Sequence, residues 1–537
     1  MVDLILSRIR NHMVRSPQTP ALVGETGVMR FGELGRRCAG IAAHLQDLPP
    51  GPLLVVGHKD HDCIAAMLAC AFAGRPFIFV DRMNPVQRIE RIAAIAGVTH
   101  ALVASSGIAL STVTLLDARD MEALPVEAVP SGPVPGSTLF YLVFTSGSTG
   151  VPKGVAVTRD NFAAFDDWYG PLRHAHAGRG AHVNHASLAF DMGMLDLWPA
   201  LATGTPVILL DHRNNVIARN NMRLMSENGV TTPASWFSTP SLLQIMRTDK
   251  GFCGKTFPEL KCFFVGGEVV QKNLIRDLWR CFPEAVVLHA YGPTEVTCVT
   301  HAKALKPADL EIGDLLPLGP ALATTTMRIV KPEGSLAAAG ELGEVVLSGP
   351  QVAVGYLPPD HPRNVAFATW RGEPSYRTGD LGYVDQFGDL VLLGRIDRQV
   401  KWNGNRIELD EIEGVACALP YVVQASCVPI FKDGRVINIV LFLQLAADRD
   451  IPRDTIVLDM RQALPAVMVP RDIHLVSTFQ LTINGKIDTA ALRAIAGAEA
   501  SQSAAGAGLS HQDGPDASTP FHQRHNGSDL KQKGVPQ

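Results

Sequence analysis

The chain has no Cys-x-x-Cys pair, and its nine cysteines are an odd number scattered from Cys38 to Cys427. That argues against a disulfide framework and against a zinc site, and it leads us to expect a reducing, cytoplasmic compartment. Long runs of one charge are missing too. The 48 basic and 52 acidic residues leave a net charge of −4, so there is no electrostatic footprint for nucleic acid or anionic lipid. The amino terminus, MVDLILSRIRNHMVRSP, offers only a brief apolar run before Arg8 and Arg10, too short for a signal h-region or a membrane span. No internal repeat is visible.

What is present is enough for a large globular protein. A single core stops growing at roughly 250–300 residues, so 537 residues imply at least two domains. Hydrophobic residues at 46% against 19% charged supply the apolar surface for buried sheets. Between residues 50 and 350 the runs GPLLVVG, RPFIFVD, THALVAS, GTPVILLD, LKCFFVGGE, AVVLHAYG and GELGEVVLSG read as buried strands bounded by Gly, Pro and Asp. The helical patterns between them predict β-α-β units and parallel sheets, hence an α/β class. Beyond Asp380 the pattern turns to alternation, with Phe387-Gly388 as a hairpin turn. A boundary near Asp397 is expected, dividing the chain into a core at 1–396 and a small α+β domain at 397–497. The segment 498–537, rich in Ser, Gly, Gln and His, is expected to be disordered because it holds too few large apolar side chains to offset the entropy of ordering.

The most informative stretch is LFYLVFTSGSTGVPKG at 139–154, an apolar strand running into a loop of Gly, Ser and Thr that ends in Lys153. Small residues let backbone N–H groups and hydroxyls converge on phosphate oxygens, and a lysine adds a point charge. It is not the G-x-x-x-x-G-K-[ST] loop, because Lys153 is followed by Gly154. Taken alone, the stretch could equally be a surface turn.

Eight further stretches accompany it in order: MRFGEL at 29–34, FDMGMLDLW at 190–198, VGGE at 265–268, HAYGPTE at 289–295, GELGEVVLSGPQVAVGY at 340–356, YRTGDL at 376–381, GRIDRQVKWNGNRIELDEIE at 394–413 and NGKID at 484–488. With them the chain resembles the adenylate-forming superfamily over residues 20–490. Within it, the resemblance is to the amino-acid adenylation domains of nonribosomal peptide synthetases and to D-alanine–carrier protein ligases. The resemblance implies a large N-terminal domain of stacked α/β subdomains with a small mobile α+β C-terminal lid, and a reaction in which ATP and a carboxylate give an acyl-AMP.

Attack of a carboxylate on the α-phosphorus brings two anions together, so positive charge and positioning must do the catalysis. By resemblance, ATP is held by Thr145, Ser146, Gly147, Ser148, Thr149, Gly150 and Lys153 of the loop, by Gly267 and Glu268, and by His289, Ala290, Tyr291, Gly292, Pro293 and Thr294. Tyr291 would stack on adenine. Glu295 would bind Mg2+, which takes hard oxygen ligands. Asp380 would accept both ribose hydroxyls, with Leu392, Leu393, Gly394 and Arg395 nearby. Lys486, exposed by the Asn484-Gly485 turn, would bridge the attacking carboxylate and the α-phosphate. Rotation of the small domain about Asp397 would then withdraw Lys486 and bring the loop around Gly404 to the site for attack by a phosphopantetheine thiol.

Asp191 stands where amino-acid adenylation domains place the carboxylate that pairs with the substrate ammonium. Met192, Leu195, Phe264, Gly266, Ala290, Cys298 and Val299, together with Lys486, would complete the amino-acid site. These mostly apolar residues predict a small uncharged side chain of the alanine, proline or valine type. The D-alanine ligases usually carry cysteine where Gly266 stands, so the missing bulk leaves the choice among these open. No carrier-like segment follows Lys486, so a separate phosphopantetheinylated carrier protein is expected as partner, with no nucleic acid and no membrane insertion. An acyl- or aryl-CoA ligase, which has no need of Asp191, and a non-catalytic nucleotide- or amino-acid-binding regulator are the alternatives.

Overall fold

A computed structural model of the chain describes residues 2–145, 152–176, 180–211, 217–322, 324–446, 451–480 and 487–497. The architecture is mixed α/β, with a large N-terminal and a smaller C-terminal part. The tail at 498–537, expected to be disordered, lies outside the described residues.

Six of the seven apolar runs form strands with parallel partners, as their buried, unalternating character requires. Leu53–Gly57, Phe77–Asp81, His100–Val103 and Leu139–Thr145 belong to one sheet. Ala181–Asn184, Val207–Leu209, Pro233–Ser238, Cys262–Gly266 and Val286–Tyr291 belong to another. The seventh run departs from the expectation: Gly343–Ser348 pairs antiparallel with both Thr326–Val330 and Glu373–Val384. No crossover helix separates these strands, and without one a chain can only double back.

The helix His61–Phe72 is buried on every face from Cys63 onward, as its nearly uninterrupted apolar sequence demands. Asp60 caps it by accepting the Cys63 N–H. One core cluster joins this helix to both sheets, and at its centre Trp198 has no exposed surface and packs against Phe77 and Phe140 with ring centroids 5.9 and 5.1 Å apart.

The C-terminal part has its own cluster, built from Ile407, Ile412, Leu441, Leu443, Ile456 and Met460 among others. The strands Val422–Lys432 and Arg435–Leu445 pair antiparallel, and Asp472–Leu475 adds parallel to the second. The hairpin of Gln399–Trp402 and Asn405–Glu408 projects from this part toward the N-terminal one. Among the described residues no helix is long and apolar enough to cross a membrane.

Truncating Trp198 to alanine leaves a cavity where the two sheets share their core. A loss of about 3–5 kcal/mol is expected, measurable as a lower denaturant midpoint.

Candidate active site

Parallel strands deliver their carboxyl ends to one side of a sheet, where ligand-binding loops collect. Here the strand Ala181–Asn184 leads to the helix Asp191–Ala202, Cys262–Gly266 runs into Gly267 and Glu268, and Val286–Tyr291 runs into the turn Thr294–Val296 that carries Glu295. The register sets Val265 opposite His289 and Gly266 opposite Ala290, so the two sequence motifs are brought side by side.

Glu295 has no exposed surface. Its Oε1 accepts the Tyr356 hydroxyl at 2.5 Å and its Oε2 accepts Arg406 Nη1 at 2.8 Å. Burial alone would raise this carboxyl, but the Arg406 and Lys153 charges and the two hydrogen bonds hold it well below the usual carboxylate range. Lys153 is also sealed from solvent, its Nζ 3.3 Å from Glu408 Oε1 and 4.8 Å from the centre of the Tyr356 ring. Burial, with Arg406 nearby, lowers it to about 8. Arg406 and Glu408 come from the C-terminal hairpin, which therefore supplies counter-charges to both N-terminal groups.

Asp380 offers Oδ2 to the Tyr291 hydroxyl at 2.5 Å and Oδ1 to Arg395 Nη1 at 2.8 Å. Each oxygen keeps a further lone pair for a ligand hydroxyl. Arg395 also grips Asp397 in a two-pronged pair at 2.8 Å, and Arg363 adds a third bond at 2.8 Å. Burial opposes ionisation of Asp397, but these two arginines hold its carboxyl far below the ordinary value. Lys401 lies on the strand Gln399–Trp402, and desolvation with the nearby Arg395 and Arg406 charges lowers its pKa against the raising pull of Asp380 and Asp191.

Asp191 opens its helix, with Oδ1 accepting the Met192 N–H at 2.8 Å. Burial raises its carboxyl to about 6, against the Thr294 hydrogen bond and the Met192 N–H. The Cys298 thiol reaches the Asp191 carbonyl at 3.6 Å, and Tyr141 Oη lies 3.8 Å from Cys298 Sγ. Leu195, Phe264, Ala290, Cys298 and Val299 fall in the same cluster, with Met192 packed against it. Leu195 and Phe264 are fully enclosed, and Phe264 stacks on Phe237 with its ring also beside Tyr169. Gly266 has a second reason to be glycine: a Cβ there would lie 2.4 Å from the Ala290 carbonyl oxygen. A side chain here would require the two strands to shift, so their close approach bears on this position as well as pocket volume.

His289 Nδ1 bonds the Pro317 carbonyl at 3.0 Å, and burial lowers the ring to about 4, so it is neutral. A Cβ on Gly292 would lie 2.2 Å from the Cys298 carbonyl, which pins the chain between Tyr291 and Pro293. Leu392, Leu393 and Gly394 share a strand with Arg395, and Leu393 is half exposed. Glu268 does more than lend its backbone, because its carboxylate accepts the Gly404 N–H at 2.5 Å. Gly404, at a φ of +74°, thus sits in the cleft. Ser146, Gly147, Ser148, Thr149, Gly150 and Lys486 lie outside the described residues. Thr145 and Lys153, which face each other across paired strands, bracket the first of these segments. The Thr145 hydroxyl is buried with no hydrogen bond among the described residues.

Sequence reasoning passed over Tyr356, Arg406, Glu408, Tyr141 and Lys401. All five lie inside the quoted motifs, Tyr141 in 139–154, Tyr356 in 340–356, and Lys401, Arg406 and Glu408 in 394–413, where polar residues next to buried-strand patterns were the available signal. Nothing in the neighbourhood of Tyr141 distinguishes it from a core tyrosine.

Residues 9–357 match the family model described as AMP-binding enzyme, and residues 411–486 match the AMP-binding enzyme C-terminal domain. The chain belongs to the AMP-binding enzyme family. This AMP-binding enzyme is 31% identical over 504 residues to a D-alanine--D-alanyl carrier protein ligase of Bacillus licheniformis, across 91% of the chain and 99% of that relative. A ligase of the same name from Bacillus anthracis is 31% identical over 497 residues, 90% and 98% of the two chains. Among solved structures, an NRPS protein containing adenylation and PCP domains, bound to a vinylsulfonamide inhibitor, superposes with a TM-score of 0.76 at 25% identity, covering 91% of this chain and 83% of that one. The Vibrio cholerae adenylation domain AlmE, in complex with glycyl-adenosine-5'-phosphate, shares the fold at a TM-score of 0.78 and 20% identity, covering 92% and 97%. The AMP-binding enzyme described here is an ATP-dependent adenylate-forming ligase of the superfamily that its motifs indicated.

Because folding raises the Asp191 carboxyl, its contribution to stability is present below about pH 4 and is lost as pH rises through about 6. Asp191→Asn removes that penalty. The ligand-free variant should exceed the parent by roughly 1–3 kcal/mol at pH 8, with the gain vanishing below about pH 4, as read from denaturant midpoints.

Proposed function

We propose that the chain activates a small uncharged amino acid, of the alanine, proline or valine type, as its aminoacyl-AMP, and then passes it to the phosphopantetheine thiol of a separate carrier protein. The observation that carries this reading is Asp191, a buried carboxylate at the edge of an apolar cluster, for which a substrate ammonium is the natural counter-charge. The names of the relatives, which couple an amino acid to a carrier protein, support the same reading.

In the first step a carboxylate oxygen of the amino acid attacks the α-phosphorus, the bond to the bridging oxygen breaks, and pyrophosphate leaves with the electron pair. Asp191 fixes the ammonium, Tyr291 stacks on adenine while its hydroxyl holds Asp380, Asp380 with Arg395 receives the ribose, and the 145–153 loop cradles the phosphates. Lys486 supplies the cation at the attacked phosphate. Mg2+ would neutralise the phosphates, and Glu295 suits it as a single protein oxygen ligand beside phosphate and water oxygens. Among the described residues no cluster of three or more ligating side chains exists that would hold a metal without the nucleotide.

In the second step the thiolate attacks the adenylate carbonyl and AMP leaves. Domains 1–396 and 397–497 would turn about Asp397 between the steps. The present arrangement, with Gly404 in the cleft and Arg406 on Glu295, suits this second step, since Glu295 Oε2 serves Arg406 here and would serve the metal once the lid swings away.

Pyrophosphate exchange with all proteinogenic amino acids and D-alanine, alongside fatty and aryl acids, tests the substrate class. Exchange is expected with one or a few small apolar amino acids. Exchange only with an amine-free acid would replace this reading by that of an acyl- or aryl-CoA ligase. Lys486→Ala should abolish exchange yet largely spare transfer from supplied aminoacyl-AMP, and equal loss of both steps would contradict the rotation.

A further inference from the structure

Residues 236–246, WFSTPSLLQIM, take no part in the proposed chemistry, yet they meet the C-terminal part directly. Its segment Pro240–Met246 is a short helix capped by Thr239. Arg435, which begins the strand Arg435–Leu445, donates Nη1 to Gln244 Oε1 at 2.5 Å and Nη2 to Ser241 Oγ at 2.7 Å. Ser241 in turn donates its hydroxyl at 2.6 Å and its N–H at 3.0 Å to Glu268 Oε2. Arg435 Nη2 is itself 3.8 Å from that oxygen, and the Glu268 side chain is only 5% exposed. The other carboxylate oxygen takes the Gly404 N–H at 2.5 Å. On the far side of the turn, Gln271 donates to the Asp433 carbonyl at 3.1 Å.

A continuous chain of hydrogen bonds therefore runs from the tip of the 432–435 turn through Ser241 and Glu268 to the loop at Gly404. Its two ends belong to the C-terminal part and its middle to the N-terminal part. A guanidinium is suited to this place because its planar fork reaches two acceptors at fixed angles while adding charge beside a largely desolvated carboxylate. A rotation of the C-terminal part about Asp397 would part the Arg435 and Gly404 contacts together, whereas the Ser241–Glu268 bonds lie within the N-terminal part.

We propose that Arg435 is a positioning residue for the thiol-transfer step: it clasps the lid in the arrangement that places Gly404 in the cleft, acting through Ser241 and Glu268. The inference rests on the two-step reading above. Arg435 itself holds neither nucleotide nor amino acid, and the clasp uses the Glu268 carboxylate rather than the backbone expected beside adenine, so its effect falls on the second step.

The test compares Arg435→Ala and Arg435→Lys with the parent in three measurements: pyrophosphate exchange, single-turnover thioester formation with pantetheine as acceptor, and the core-to-lid distance distribution from site-specific spin labels. For Arg435→Ala we expect exchange within about twofold of the parent, thioester formation lowered about tenfold, and distances shifted away from the clasped arrangement. Arg435→Lys should recover part of the transfer rate. Gln244→Ala should give a smaller loss that does not add to that of Arg435→Ala. Exchange and transfer falling in parallel, or a distance distribution identical to the parent's, would overturn the clasp. If the parent itself exchanges no amino acid, the functional reading fails, while the spin-label distances still decide for or against the clasp.

Discussion

Glu295 is a carboxylate with no exposed surface, and a buried charge of this kind survives only where other charges and donors meet it. In this protein Tyr356 and Arg406 do so directly, and Lys153 adds its field from nearby. Two of those partners belong to the N-terminal part and one to the C-terminal part. The requirement to neutralise one oxygen pair thus ties the two parts of the chain together at the centre of the cleft. A second buried pair, Arg88 with Glu411 at 2.6 Å, and the Lys153–Glu408 contact repeat the pattern around it. Exposed ion pairs contribute little to holding two bodies in register, but enclosed ones leave an uncompensated charge when parted. A site that must open and close therefore needs substitutes for each partner, and bound nucleotide with its metal is chemically fit to be one.

The arginine network around Asp397 shows the same economy at the junction of the two parts. Arg395 bonds both Asp380 and Asp397, so one guanidinium links the ribose-binding position to the expected hinge. Arg363 reaches Asp397 at 2.8 Å and lies 3.9 Å from Glu408. On the proposed reading, the ribose position and the hinge would share this side chain.

Much of the fold was legible because buried parallel strands leave unalternating apolar runs, and six of the seven runs took parallel partners. Gly343–Ser348 was misjudged as parallel because an apolar run records burial and not the direction of its neighbour. In the proposed site, Asp191, Glu295, Tyr291 and Asp380 are read from motif residues; Tyr291 ends its strand, Glu295 lies in the turn just beyond it, and Asp191 opens the helix that follows a strand of the same sheet. Tyr141 sits in the apolar start of the 139–154 motif and reads there as a core tyrosine, because its contact with Cys298 joins positions 157 residues apart.

The sequence by itself determined the class of protein and the chemistry it carries, because motif residues must be of particular types wherever the fold puts them. Gly266 shows the limit of that argument. Its identity reads as pocket volume in the sequence, but a carbonyl 2.4 Å from any Cβ gives backbone packing a claim on it as well. Only the tertiary structure decided which partner each charged group keeps: Arg406 for Glu295, Glu408 for Lys153, Arg395 and Arg363 for Asp397, Arg435 for Ser241 and Gln244. Pairings of this kind depend on distance in space between segments as far apart in the chain as the 323 residues from Arg88 to Glu411, and a linear pattern holds no record of that distance.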